Sequence, residues 1–137
     1  MTPMTRRRDL PELTDSELEV MKTLWRAGPQ SAREVHDALA ERVGWAYTTT
    51  RTTLDRMVDK GHVERRSHHG LSVYRPELTR PVGLAGLVRR LAGRVLEVEP
   101  SRVVSLFGEG LELGAEEVAE LEALVAEHAA TEDGEER

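Results

Sequence analysis

Thr48, Thr49, Thr52 and Arg56 are the residues of this chain whose types and spacing best suit polar recognition. They lie in AYTTTRTTLDRMVDKG, a helix-length stretch holding five threonines, two arginines and no glutamate. Threonine is a poor helix former, so helix stability does not explain this run, and an ordinary exposed helix is rich in Glu, Lys and Ala instead. A threonine hydroxyl donates or accepts at base edges and phosphates while its methyl packs on thymine. Arginine grips guanine or phosphate through two parallel bonds. On a helical wheel Tyr47, Thr50, Leu54, Met57 and Val58 gather on one side as core. Thr49, Thr52 and Arg56 project from the other, flanked by Thr48, Thr53 and Asp55. Arg51 lies at the boundary and can snorkel outward. The expected reading set is Thr48, Thr49, Thr52 and Arg56, with Arg51 and Thr53 beside it, and the surface it suits is a DNA groove.

A basic hairpin follows. His62 to Ser67 alternates as a strand, Leu71 to Arg75 returns, and Pro76 ends it; His68-His69-Gly70 is the tip, with Gly70 free to take positive φ. Arg65, Arg66, His68 and His69, with Arg75, fit contacts to phosphate or the minor groove, a solvated strand being the plain alternative. Adjacent histidines on a strand point apart and no carboxylate stands at ligand spacing, so the pair is not read as a metal site. The chain has no cysteine, which removes thiolate ligands and nucleophiles. H-E-x-x-H, G-x-S-x-G and a phosphate-binding glycine loop are absent as well. No metal, cofactor or catalytic activity is expected.

The elements that must position these residues are well signalled. Thr14 and Glu17 form a capping box, with Leu13 and Leu18 at the staple positions, and Leu18, Met21, Leu24 and Trp25 mark a buried stripe that stops at Ala27-Gly28-Pro29. Ser31 and Glu34 repeat the box before Val35, Ala38 and Leu39; His36 falls beside this stripe as a surface or boundary residue. The third helix is expected from about Thr48 to Asp59, with Lys60 in its last turn and Gly61 beyond. Three helices and a hairpin in this order predict a winged helix-turn-helix, with room for a short strand at residues 29–31. Past Pro81 an amphipathic stripe runs through Leu84, Leu87, Val88, Leu91 and Val95. Pro100 opens a short helix with Val103, Val104 and Phe107, and a last helix from Ala115 to about Ala129 carries Val118, Leu121, Leu124 and Val125. Three short amphipathic helices are expected to bury their apolar faces poorly alone, and an identical copy is the simplest partner. The expected dimer contacts are Leu84, Leu87, Val88, Leu91, Val103, Phe107, Val118, Leu121 and Val125.

Composition agrees with this division. The net charge of −6 over 137 residues conceals an asymmetry: residues 1–80 hold 14 Lys/Arg against 12 Asp/Glu, residues 81–137 hold 5 against 13. The acidic half is suited to protein rather than phosphate. The fold class is therefore mainly α with a small β-hairpin. A flexible basic arm carrying Arg6-Arg7-Arg8 is expected at 1–12, the winged helix-turn-helix at 13–80, a three-helix dimerisation domain at 81–130 and a disordered acidic tail at 131–137. No apolar run reaches the ~18 residues of a membrane helix, so no membrane insertion and a cytoplasmic location are expected.

LTDSELEVMKTLW, SAREVHDALAER, AYTTTRTTLDRMVDKGHVERR and VYRP together closely resemble the penicillinase-repressor family of BlaI/MecI type, over Leu13 to about Pro76 and more loosely through Leu84 to Val125. The resemblance implies a homodimeric winged-helix repressor on palindromic double-stranded operator DNA, controlling β-lactamase or cell-wall-stress genes and its own operon. It also implies relief by a sensor metalloprotease cutting the dimerisation domain near Leu106 and Phe107; Leu106 stands where well-known cleaved members have asparagine. A copper-sensing branch depends on C-terminal cysteines, which this chain lacks. From the residues alone, a winged-helix adaptor that docks proteins is the competing class. A small-molecule sensor is the third, and it finds little material for a pocket here.

Overall fold

The computed structural model describes residues 10–107 and 113–135, and within them the side chains of all but 106–107 and 128–135. These residues form two compact units, 13–79 and a second made of 80–135 together with 10–12.

In the first unit, α1 (Asp15–Ala27) begins at Thr14, whose hydroxyl accepts from the Glu17 N–H at 3.2 Å while the Glu17 carboxylate accepts from the Thr14 N–H at 3.0 Å. The Ser31–Glu34 box starts α2 (Ala32–Val43) in the same way. Each box satisfies two backbone donors that a helix start leaves without partners. Gln30–Ser31 forms β1, followed after α2 by α3 (Tyr47–Lys60), β2 (Val63–His68) and β3 (Leu71–Pro76). The strands run antiparallel in the order β1-β3-β2, with Gln30 opposite Tyr74 and Arg65 opposite Tyr74 on its other side. Leu13, Val20, Met21, Leu24, Val35, Leu39, Leu54, Met57, Val63 and Tyr74 close the core. The Trp25 indole N–H donates to the Leu78 carbonyl at 2.8 Å, fixing the chain that leaves the sheet to α1.

The second unit contains α4 (Arg80–Arg90), a π-helical continuation over Leu91–Leu96, α5 (Pro100–Phe107) and α6 (Ala115–Glu135). Ala85, Val88, Ala92, Val103, Val104, Leu121 and Val125 form a closed core within one chain. The three helices thus bury their apolar faces better than their lengths suggest. Arg80 reaches Glu117 with two guanidinium nitrogens, Nη2 to Oε1 at 2.8 Å and Nε to Oε2 at 3.2 Å, and Glu117 also accepts the Gly114 N–H at 3.1 Å. This fork ties the start of α4 to the start of α6. It also holds the Glu117 carboxyl below its ordinary range.

Three features differ from expectation. Leu10, in the segment read as an arm, packs on the second core, and a Cβ on Gly86 of α4 would strike the Pro11 carbonyl oxygen. The stripe through Leu84 and Val95 is broken. In π-helical turns, closed by i→i+5 bonds, successive residues rotate less, so Leu91 and Val95 leave the inward face and are 38% and 66% exposed. Finally, α6 runs to Glu135 rather than Ala129, because adding residues to a formed helix needs no new nucleus.

Candidate nucleic-acid interface

α3 ends in the arrangement that Lys60-Gly61 predicts. Gly61 takes φ 84°, its N–H bonds the Val58 carbonyl at 3.0 Å, and the His62 N–H bonds the Met57 carbonyl at 3.0 Å. This satisfies the last carbonyls of the helix. At the other end Ala46 offers no side-chain cap.

Thr48, Thr52, Arg51 and Arg56 are exposed and Thr49 is half-buried. Arg56 makes no ion pair among the described residues, so its guanidinium is available to a ligand. Thr53 does not belong with them. It is 2% exposed, with Thr50, Leu54 and Met57 fully buried. Positions 50, 53, 54 and 57 make the i, i+3, i+4, i+7 face of a helix packed on its neighbours. That pattern was present in the sequence, masked by the polarity of threonine. Thr53 faces the interior and leaves the reading set.

The Tyr47 hydroxyl, then Tyr74 and Asp55, hold the pKa of Arg51 above its ordinary value. Tyr47 is half-buried. The Arg33 guanidinium lies 4.1 Å from its ring centroid, and the His36 ring meets it edge-on at 5.6 Å. His36 Nδ1 shares a 2.9 Å hydrogen bond with Thr50 Oγ1. Sequence reading left Arg33 out and placed His36 at a boundary; only the crossing of α2 and α3 brings them together.

The wing turns on His69 and Gly70, at φ 55° and 78°, with His68 opposite Leu71 as the last strand pair. Two positive-φ residues match the right-handed twist of the strands. Because His69 leaves the strand conformation, its ring meets that of His68 at 4.4 Å; the two do not point apart. Among the described residues, no group of three or more His, Cys, Asp or Glu could hold a metal ion.

Directly paired strand residues share a face, and this separates the wing arginines. Arg65 lies on the face of Tyr74, toward α3, where Asp55 is 3.6 Å away. Arg66 shares the other face with Glu64 and Arg75, and Glu64 holds both at 3.2 and 3.0 Å. The arginine side of each pair is exposed, and such surface pairs are worth about 0–1 kcal/mol each.

Of the expected dimer contacts, Val88, Val103, Leu121 and Val125 are buried within the unit's own core, at 7%, 4%, 0% and 0% exposure. Leu84 and Val118 pack against that core and Leu87 is half-buried. Among the described residues of this unit, the large apolar side chains left exposed are Leu91, Val95, Leu96 and Val98. The side chains of Leu106 and Phe107 lie outside those described. No helix among the described residues is long and apolar enough to cross a membrane.

A family model described as penicillinase repressor matches residues 13–127. The chain is 27% identical over 121 residues to the penicillinase repressor of Bacillus licheniformis, covering 88% of this chain and 94% of that protein. It is 35% identical over 119 residues to the transcriptional regulator BlaI of Mycobacterium tuberculosis, covering 86% of each. Among solved structures, the DNA-binding domain of the repressor BlaI matches at TM-score 0.48 and 30% identity, over 53% of this chain and 88% of that one. The Bacillus licheniformis BlaI monomeric form in complex with the blaP half-operator matches at TM-score 0.49 and 30% identity, over 54% and 90%.

Proposed function

The chain belongs to the penicillinase-repressor family, and from that membership we propose that this DNA-binding transcriptional repressor occupies an inverted-repeat operator as a homodimer. The observation that carries the reading is the outer face of α3, where Thr48, Thr52 and Arg56, which has no ion-pair partner among the described residues, stand exposed together. Thr48, Thr49, Thr52 and Arg56 read base edges, with Arg51 at the margin. Arg65 holds phosphate beside α3, while Arg66, His68 and His69 follow the backbone from the wing. Two copies place two such helices in successive major grooves, about 34 Å apart.

The copies meet through the second unit, whose acidic surface stays off the DNA. Leu91, Val95, Leu96 and Val98 supply the seam, with Leu84, Leu87 and Val118 behind it. The regulated genes are of the β-lactamase or cell-wall-stress class, together with the repressor's own operon, in the cytoplasm. A signal on the dimerisation unit relieves repression, because a lone half-site loses the effective concentration of two linked contacts. A sensor metalloprotease acting near Leu106 and Phe107 is one such signal.

Sequencing DNA bound in cells, followed by gel shifts at several salt concentrations, tests the reading. An inverted repeat whose affinity falls steeply with salt is expected. No salt-dependent binding to any promoter fragment would transfer the chain to the protein-docking class.

A further inference from the structure

Among the described residues one side-chain hydrogen bond joins α2 to α3, the 2.9 Å contact between His36 Nδ1 and Thr50 Oγ1. The two helices also meet where Arg33 and His36 contact the Tyr47 ring, and they share the apolar core of Val35, Leu39, Leu54 and Met57. Apolar packing is non-directional, so such a seam tolerates small rotations and slides of one helix on the other. A hydrogen bond does not, since it weakens steeply with angle and distance. Thr50 is fully buried, and a hydroxyl deprived of its partner there has no water to turn to.

The bond sits where α3 most needs it. Ala46 provides no cap, so the first turn is held from outside. Tyr47 meets both the Arg33 guanidinium and, at right angles, the His36 ring of α2, and Thr50 follows one turn later. Thr48, Thr49 and Thr52 are interleaved with these anchored positions, so a rotation of α3 about its axis at Thr50 carries them through the same angle.

We propose that His36 is a positioning residue for sequence reading: through Thr50 it sets the rotation of α3 and hence which bases the threonines meet. The inference rests on the repressor reading above. It assigns His36 no contact with DNA.

The test selects DNA from a randomised duplex pool with the native full-length chain, then measures binding to the recovered duplex and to an unrelated one. His36→Ala is expected to lower the preference for the recovered duplex by about tenfold, with affinity for the unrelated duplex within about twofold of native. His36→Asn, which places a polar atom near Nδ1, should restore the preference. Thr50→Val keeps the side-chain shape and should reproduce the loss even if His36→Ala folds poorly. The double variant should lose nothing more, because one interaction is removed once. An unchanged preference in both single variants overturns the proposal. So do additive losses in the double variant, or losses equal on both duplexes that merely follow melting temperature. If the native chain enriches no motif, the repressor reading falls and this inference with it; a native motif left intact by both variants removes only the inference.

Discussion

Lys60 Nζ donates to Glu17 Oε2 across 2.7 Å, although Glu17 is fully buried and Lys60 is 40% exposed. One carboxylate therefore serves two elements, completing the capping box of α1 through Oε1 and fastening the last turn of α3 through Oε2. Burial pushes the Glu17 carboxyl up, but the Lys60 bond, the Thr14 N–H and the charges of Lys60 and His62 outweigh it and hold the carboxyl below its ordinary value. Lys60→Met leaves a buried oxygen without a donor. It should cost about 1–3 kcal/mol in urea unfolding, while Lys60→Arg should recover part of that.

The same cluster sets the acid response. Burial lowers the pKa of His62, with Glu17 opposing and Lys60 assisting. Both groups thus have depressed folded values and bind fewer protons folded than unfolded, so stability is full at high pH and falls with acid. The His62 part should fade as pH drops below the ordinary 6.5, and the Glu17 part below the ordinary 4.5. Thermal melts between about pH 7 and about pH 3 should show two successive losses, and His62→Gln should remove the first.

Thr52 and Thr53 are neighbours in sequence with opposite surroundings, one exposed and the other 2% exposed. Thr52→Val should reduce operator affinity by about 1–3 kcal/mol if its hydroxyl meets a base. Thr53→Val should leave affinity within about 0.5 kcal/mol. Equal losses from the two would place the reading face elsewhere.

Arg56→Ala should cost about 1–3 kcal/mol of operator binding and relax specificity at one base position. Arg65→Ala should act differently, weakening all sequences alike and reducing the salt slope by about 1. Titrations at several salt concentrations separate the two roles.

Val95 and Val125 separate the outside of the helical unit from its core. Val95 is 66% exposed, Val125 not at all. Val95→Asp should yield a folded monomer in sedimentation, with a lower melting temperature only at concentrations where the native chain is dimeric. Val125→Asp should unfold the helical unit at any concentration.

Gly86→Ala tests the packing of residues 10–12. Alanine favours a helix by about 1 kcal/mol over glycine, yet its Cβ would displace Pro11. The expected outcome is a net loss of thermal stability and faster proteolytic cleavage near Leu10.

The sequence alone determined whatever depends on neighbours along the chain. Both capping boxes, the Gly61 stop, the hairpin with its positive-φ glycine, and an outer face on α3 with Thr48, Thr52 and Arg56 follow from spacings of three or four residues and from local backbone preference. Tertiary structure decided everything that depends on what lies across a gap. Thr53 turned inward because α3 packs on its neighbours along positions 50, 53, 54 and 57. Arg65 and Arg66 were separated by strand register. His36 acquired its role only when α2 brought it to Thr50. Leu84, Val88, Val103, Leu121 and Val125 were visible in the sequence as apolar positions of the second unit, whereas Leu10, Ala85 and Ala92 joined its core only in the structure, and a π-helical turn shifts Leu91 and Val95 outward. Periodicity cannot register that change, because it assumes the same rotation at every residue.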